Sequence, residues 1–275
     1  MTTKTPLLIP SSLAARLELV NAWRGTGYCQ AVQHLHPQAG SQVLEVAGGL
    51  ALYAGVDYPV RSAIGLGMSA PVGESDLDLI ENFYAGFGLP PRIHSCPFAD
   101  PSLQHLLDQR GYYVDRILTT YFCHLPAPHA DLEMSTTVTV TVATQEQASL
   151  WVRTTAQGFC ETEEPEPVDL EVMMANYYAP NGTCFLAWID GQPAGGAGMF
   201  IHTGAVELGG ASTRLQFRRR GVHSALLKAR METAYISGCD LAVVVTSPGS
   251  ASQRNLERLG FSLAYSVPIY MFPKT

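Results

Sequence analysis

The sequence predicts an α/β protein in which one pattern of elements is built twice, each copy a mixed central β-sheet flanked by helices (an α/β or α+β architecture). Three observations lead there. Stretches with apolar residues at helical spacing alternate with runs rich in Val, Ile, Thr and aromatic residues, and Gly or Pro separates them. The order of elements then starts again near the middle of the 275-residue chain, as expected of two copies of one fold. Finally, Leu107-Asp108-Gln109-Arg110-Gly111-Tyr112 resembles Leu256-Glu257-Arg258-Leu259-Gly260-Phe261. Each reads as a helix end closed by Gly and followed by an aromatic-led strand.

In the first copy, Ser11 or Ser12 is a candidate cap for a helix carrying Leu13, Leu17 and Val20 on one stripe. Strands are expected over Val43–Ala47, Leu50–Ala54 and Val60–Gly67. A helix from Asp76 to Phe87 places Leu77, Ile80, Phe83 and Tyr84 on one face, and Gly88 and Pro90 end it. Arg92–Cys96 reads as a short strand, Ser102–Gln109 as a helix and Tyr112–His124 as a long strand. The stretch from Pro126 to Ser135 is polar and proline-bearing and reads as an interdomain linker. Domain boundaries of 1–130 and 136–275 follow.

The second copy opens with a half-buried strand over Thr136–Ala143, where Thr and Val alternate, and a helix over Gln145–Gly158. An acidic, proline-broken loop, Glu161–Pro167, precedes a helix over Asp169–Tyr178. Cys184–Ile189 and Pro193–His202 form a hairpin around Asp190-Gly191. Val206–Ser224 then reads as strand, basic loop and helix start, with Glu207, Gly209, Ala211 and Thr213 on one strand face by the two-residue period. Leu241–Thr246 is a buried strand, Ser252–Leu259 a helix and Phe261–Met271 the last strand.

Composition narrows the function. A hydrophobic content of 47% with 15% charged residues describes a globular protein rather than a disordered one. The net charge of -7 argues against nucleic-acid binding, which needs broad phosphate neutralisation. The six cysteines have no paired spacing, so neither a disulfide framework nor a metal site is indicated. The N-terminus lacks a signal-peptide core and no run is long and apolar enough to span a bilayer, so a soluble cytoplasmic protein, monomer or homodimer, is expected.

Against that acidic background, Arg218-Arg219-Arg220-Gly221 stands out. Positive side chains and free N–H groups at the mouth of a helix suit a phosphate. The corresponding stretch of the first copy, Pro71-Val72-Gly73-Glu74-Ser75-Asp76, carries acids that would repel one, so a single ligand site is expected.

These residues carry a family resemblance. Arg218-Arg219-Arg220-Gly221-Val222-His223 is similar to the Arg/Gln-x-x-Gly-x-Gly/Ala signature of the GNAT acetyltransferase superfamily. The preceding Glu207-Leu208, with Ala211, Thr213 and Phe217, and the following Ala225-Leu226-Leu227 extend it. A helix ending in Leu-Gly-Phe is present as Asn255–Phe261. The likeness covers roughly residues 136 to 275; the first half resembles a degenerate, non-catalytic copy. It implies acetyl-CoA held by Ala211, Ser212 and Thr213, by Arg218, Arg219, Arg220, Gly221, Val222, His223 and Ser224, and by Asn255. The implied activity is N-acetyltransfer to a primary amine of a small molecule in a ternary complex, with Glu207 as the candidate base.

Two positions depart from the family pattern. His223 occupies the second small position of the signature, and Leu256 stands where many members place a tyrosine that protonates the departing thiolate. Tyr265 and Tyr270 on the last strand are candidate replacements, and water is another. Glu161, Glu163 and Glu164 could form an acidic rim that draws in a cationic amine, or a solvated loop. The missing tyrosine also motivates an alternative, a non-catalytic acyl-CoA-binding sensor or a scaffold.

Overall fold

A computed structural model describes residues 9–126 and 137–273. Its first element, α1, spans Ser11–Leu35. The helix is longer than its first apolar stripe implies, because Ala22, Tyr28, Ala31 and Val32 continue the buried face. Its N-cap is Pro10, with φ -64° and extended ψ, and no side chain caps it. Ser11 is therefore a first-turn residue and not the cap.

The first copy continues as β1 (Gln42–Val46), β2 (Gly49–Tyr53), β3 (Arg61–Ile64), α2 (Glu74–Ala85), β4 (Arg92–His94), α3 (Pro101–Gln109) and β5 (Tyr113–His124). Order and type agree with the sequence reading, with ends displaced by up to three residues. The linker reading of 126–135 lies outside the described residues apart from Pro126. The second copy comprises β6 (Thr139–Val142), α4 (Ala148–Cys160), α5 (Pro167–Tyr177), β7 (Gly182–Ile189), β8 (Gln192–His202), β9 (Ala205–Glu207), β10 (Ser212–Thr213), α6 (Val222–Ile236), β11 (Leu241–Thr246), α7 (Ala251–Arg258) and β12 (Ser262–Met271). The two matching helix ends close alike: Tyr112 N–H donates to Leu107 O and Phe261 N–H to Leu256 O, both at 3.0 Å.

The strands form one 12-stranded sheet in the order β1-β2-β3-β4-β12-β5-β11-β9-β8-β7-β6, with β10 on β8. The two copies exchange their last strands. β5 of the first copy pairs with β11 of the second, from His124 opposite Leu241 to Thr119 opposite Thr246. β12 of the second pairs with β4 of the first through Ile269 opposite His94. The exchanged strands also pair with each other, from Ser262 opposite Phe122 to Met271 opposite Tyr113. Both are long, 12 and 10 residues, so each can satisfy backbone groups on its two edges.

Packing follows the exchange. Tyr121 and Cys123 of β5 lie in the core with Val206, Leu226 and Leu256 of the second copy, whereas Tyr270 of β12 packs on the first copy's core around Leu77 and Ile93. α1 spans the join: Ala14, Leu17 and Val20 meet Ala205, Leu241 and Val243, and Ala22, Tyr28 and Val32 meet Leu50 and Leu52. An Arg16–Asp240 ion pair adds to this contact.

The exchange predicts that residues 137–275 alone do not reach the native fold, because β11 loses β5 while β12 loses both neighbours. The fragment is expected to aggregate or to give a collapsed amide spectrum, and co-expression with residues 1–136 to restore dispersion. A dispersed spectrum from the monomeric fragment by itself would overturn this.

Candidate active site

The site is made by a parting of strands. β9 and β11 run parallel through Val243 opposite Glu207, and the last rung is Leu208 N–H donating to Val243 O at 2.9 Å. The chain then turns through Gly210, φ 62°, and rejoins the sheet as β10, with Ser212 opposite Gly196 of β8. This corrects the expectation of one unbroken strand with Glu207, Gly209, Ala211 and Thr213 on a single face. Arg230 holds the break. Its buried guanidinium donates to Gly198 O at 2.9 Å, Gly209 O at 3.2 Å and Leu226 O at 3.1 Å. Burial lowers its pKa to about 10, while the Glu207 charge opposes that shift. Sequence reasoning passed over Arg230, although an arginine at four-residue spacing from Leu226 on an apolar helix face is a readable signal.

Beyond the last rung the strands diverge into a groove of about 1030 Å³. Ala211, Ser212, Thr213, Arg218, Arg219, Gly221, Val222, His223, Ser224 and Asn255 all line it. At its end, Gly221 caps α6 at φ 86°, with no side chain on the helix terminus, a conformation that a Cβ would strain. Ala225 N–H makes the first helical bond, to Gly221 O at 3.0 Å. The amides of Val222, His223 and Ser224 are therefore the open donors of the first turn, and the helix dipole adds roughly 0.3–1 kcal/mol for an anion there.

The three arginines divide. Arg219, φ 61°, lines the groove. Arg218 lines it too and pairs with Glu161 at 2.8 Å. Arg220 turns away toward Asp190 at 3.4 Å and is not part of the lining. Arg254 and Arg258, which the motif did not single out, join the wall from α7. His223 fits by packing against Asn255, Nδ1 to Nδ2 at 3.3 Å. Burial, then Arg230, lowers its pKa to about 4, so the imidazole is neutral at pH 7.

The acidic rim is not free to attract a cation. Glu161 pairs with Arg218, Glu163 with Arg214 at 2.6 Å and Glu164 with Arg153 at 2.8 Å. Three of the loop's four acids are thus paired, and the Glu161–Arg218 contact ties the loop to the groove's edge.

Glu207 is buried beside the groove, in the wall of a cavity of about 30 Å³ that also touches Trp151, Asn176, Gly198, Gly209 and Gly210. That is room for about one water. A Cβ on Gly209 would lie 2.7 Å from each Glu207 carboxylate oxygen. From the first copy, α1 contributes Tyr28 and Arg24. Arg24 Nε lies 3.6 Å from Glu207 Oε2, and its Nη2 donates to Asn176 Oδ1 at 3.1 Å.

Residues 148–261 match the acetyltransferase (GNAT) family. The match spans 114 of the 275 residues, all of them in the second copy. Solved structures extend the likeness to the whole fold. A GCN5-related N-acetyltransferase from Kribbella flavida superposes with a TM-score of 0.68 at 18% identity, covering 96% of both chains. A tandem GNAT protein from the clavulanic acid biosynthesis pathway gives 0.61 at 14%, covering 96% of this chain and 95% of its own. A putative GNAT acetyltransferase from Novosphingobium aromaticivorans gives 0.53 at 19%, covering 92% and 96%. At these identities the likeness is one of fold, and it is a tandem GNAT fold. No curated protein matches the sequence.

Within the GNAT domain, Leu256 is buried in the core and offers no proton. Neither candidate replacement reaches the groove. Tyr265 donates to Glu18 Oε1 at 2.9 Å and Tyr270 packs in the first copy's core, because β12 has been exchanged. In the first copy the stretch that corresponds to Arg218–Gly221 carries its own carboxylate cap: Gly73 N–H at the start of α2 donates to Asp76 Oδ2 at 2.8 Å. Among the described residues, no helix is long and apolar enough to cross a membrane, and no group of three or more His, Cys, Asp or Glu could hold a metal.

Replacing Arg230 by Met removes the guanidinium's bonds to Gly198 O, Gly209 O and Leu226 O. The expected loss is about 3 kcal/mol, a fall in Tm of roughly 6–12 °C for a chain of this size. A thermal melt that shifts by no more than a surface substitution would show that these Arg230 bonds do not stabilise the fold.

Proposed function

We propose that this protein is an acetyl-CoA-dependent N-acetyltransferase that acts on a primary amine of a small molecule by direct attack in a ternary complex. One observation carries the reading. The groove that ends on the open amides of α6 and the cavity that holds Glu207 share Gly209 and Gly210 as lining, so an anion-binding end and a carboxylate lie in two adjoining spaces.

The donor set fits coenzyme A. The amides of Val222, His223 and Ser224, with Arg219 and Arg218, suit a pyrophosphate. The backbone of Ala211, Ser212 and Thr213, along the parted edge, suits an extended amide-bearing arm, and Asn255 faces the same space. Bound there, acetyl-CoA supplies an acetyl thioester open to attack by an amine. Glu207 takes the proton from the acceptor ammonium, directly or through the single water its cavity can hold. Arg24, itself held by Asn176, orients the carboxylate, which gives the first copy a part in the site. With Leu256 apolar, the leaving thiolate takes its proton from solvent. In this reading residues 136–275 form the catalytic domain and residues 1–130 a non-catalytic one.

Burial of Leu256 favours a second reading, an acyl-CoA-binding sensor without turnover. A free-thiol assay over a panel of primary amines separates the two, and silence across the panel with tight CoA binding would favour the sensor.

The residues divide into testable groups. Arg219→Glu combined with Gly221→Asp is expected to weaken CoA binding by at least about 100-fold in isothermal titration, the loss of two charge-assisted contacts. Arg220→Glu, which faces Asp190, is expected to change it far less. Equal losses would show that the groove does not hold the pyrophosphate as assigned. Glu207→Gln is expected to lower kcat by roughly 100-fold or more with CoA affinity retained, the range for a general base. An unchanged kcat would remove Glu207 from that role.

A further inference from the structure

A second cavity, of about 510 Å³, lies in the first copy between α1 and the turn joining β1 to β2. Its size is that of a small-molecule site. It sits on the opposite flank of α1 from Arg24 and Tyr28 and shares no lining residue with the groove or the Glu207 cavity. Its walls combine Leu19, Trp23, Leu50 and Met68 with two carboxylates, Glu18 and Glu45.

Glu18 is the unusual member. The residue is 2% exposed. Oε1 accepts from Tyr265 at 2.9 Å, whereas Oε2 is buried without a hydrogen-bond partner. A carboxylate buried this deeply with so few donors is costly as an anion, and a neighbouring cation favours its charged form. Burial accordingly raises its pKa to about 7, with the Tyr265 hydroxyl and the Gly65 amide opposing the shift. Glu45, exposed on β1, places a second negative charge at the cavity's rim. Among the described residues, neither acid has an ion-pair partner.

We propose that this cavity binds a small organic cation, an ammonium group on an apolar body, with the charge toward Glu18 and Glu45 and the body against Leu19, Trp23 and Met68. An anion such as the phosphate end of a nucleotide meets two carboxylates here and is repelled. A bare metal ion would find one deep carboxylate among apolar walls, too few oxygen ligands to replace its water. An indole wall suits an alkylammonium, whose charge is attracted to the ring face. The first copy, whose stretch corresponding to Arg218–Gly221 is capped by Asp76, thereby keeps a ligand site of opposite charge preference.

The test uses the full chain and benzyltrimethylammonium, a quaternary cation that has no N–H proton to lose and cannot be acetylated. Titration at pH 8, followed by calorimetry and by amide shifts, is expected to show one saturable site. Glu18→Gln, isosteric and neutral, is expected to weaken it at least tenfold. Glu45→Lys, a surface change that leaves the core alone, should weaken it severalfold, and Glu207→Gln should leave it unchanged. Absence of saturable binding at millimolar probe overturns the proposal. So does affinity indifferent to both Glu18→Gln and Glu45→Lys, and so does loss in Glu207→Gln, which would place the probe in the other cavity. No acyl donor is present in the titration, so failure here is separate from failure of the transferase reading.

Discussion

Each copy's final strand completes the sheet of the other, and the pairing of β5 with β12 joins the two. A sheet edge that presents unpaired backbone groups is costly and prone to association. The exchange removes two such edges at once and makes the copies one structure. It also determines what each face can carry. Tyr265 and Tyr270 are drawn into the first copy, away from the groove. Tyr121 moves the other way and reaches Glu257 of α7 at 3.0 Å. The proton donor that sequence alone would seek on the last strand is for this reason absent from the groove.

The same continuity gives α1 its position across the join. One flank brings Arg24 within 3.6 Å of Glu207, and the other closes the cavity around Glu18. A helix of the copy without a phosphate loop thus shapes both carboxylate sites. Arg230 plays the corresponding part inside the second copy. By holding Gly198 O and Gly209 O it ties the turn that follows β9 to β8, on the side of β9 away from β11. The groove opens where β9 and β11 stop pairing, and a charged, buried donor fixes the course of the chain beside that opening.

Much of the fold was legible because its signals are local. The strand-like run Val43–Ala47, the apolar stripe from Leu77 to Tyr84 and the paired helix ends at Gly111 and Gly260 depend on residues near one another in the chain. The groove's lining was legible for the same reason, since Gly221 and the residues after it form one turn of helix. Arg220 was not, because which of three adjacent arginines faces the groove depends on Asp190 in a distant hairpin. Nor were the partners of Glu161, Glu163 and Glu164, which lie 57, 51 and 11 residues away.

By itself the sequence determined that the chain repeats one α/β pattern, that a strand, basic loop and helix start in the second half suit a phosphate, and that the first half lacks this feature. These are properties of hydrophobic period, glycine placement and local charge. Only the tertiary structure decided that the copies exchange strands, that Arg230 holds Gly198 O and Gly209 O beside the groove, and that α1 sets Arg24 against Glu207 and Glu18 into a cavity. Those outcomes depend on which backbone edges and buried charges meet after folding. Several of the contacts that settle them join residues far apart in the chain, such as Tyr265 and Glu18.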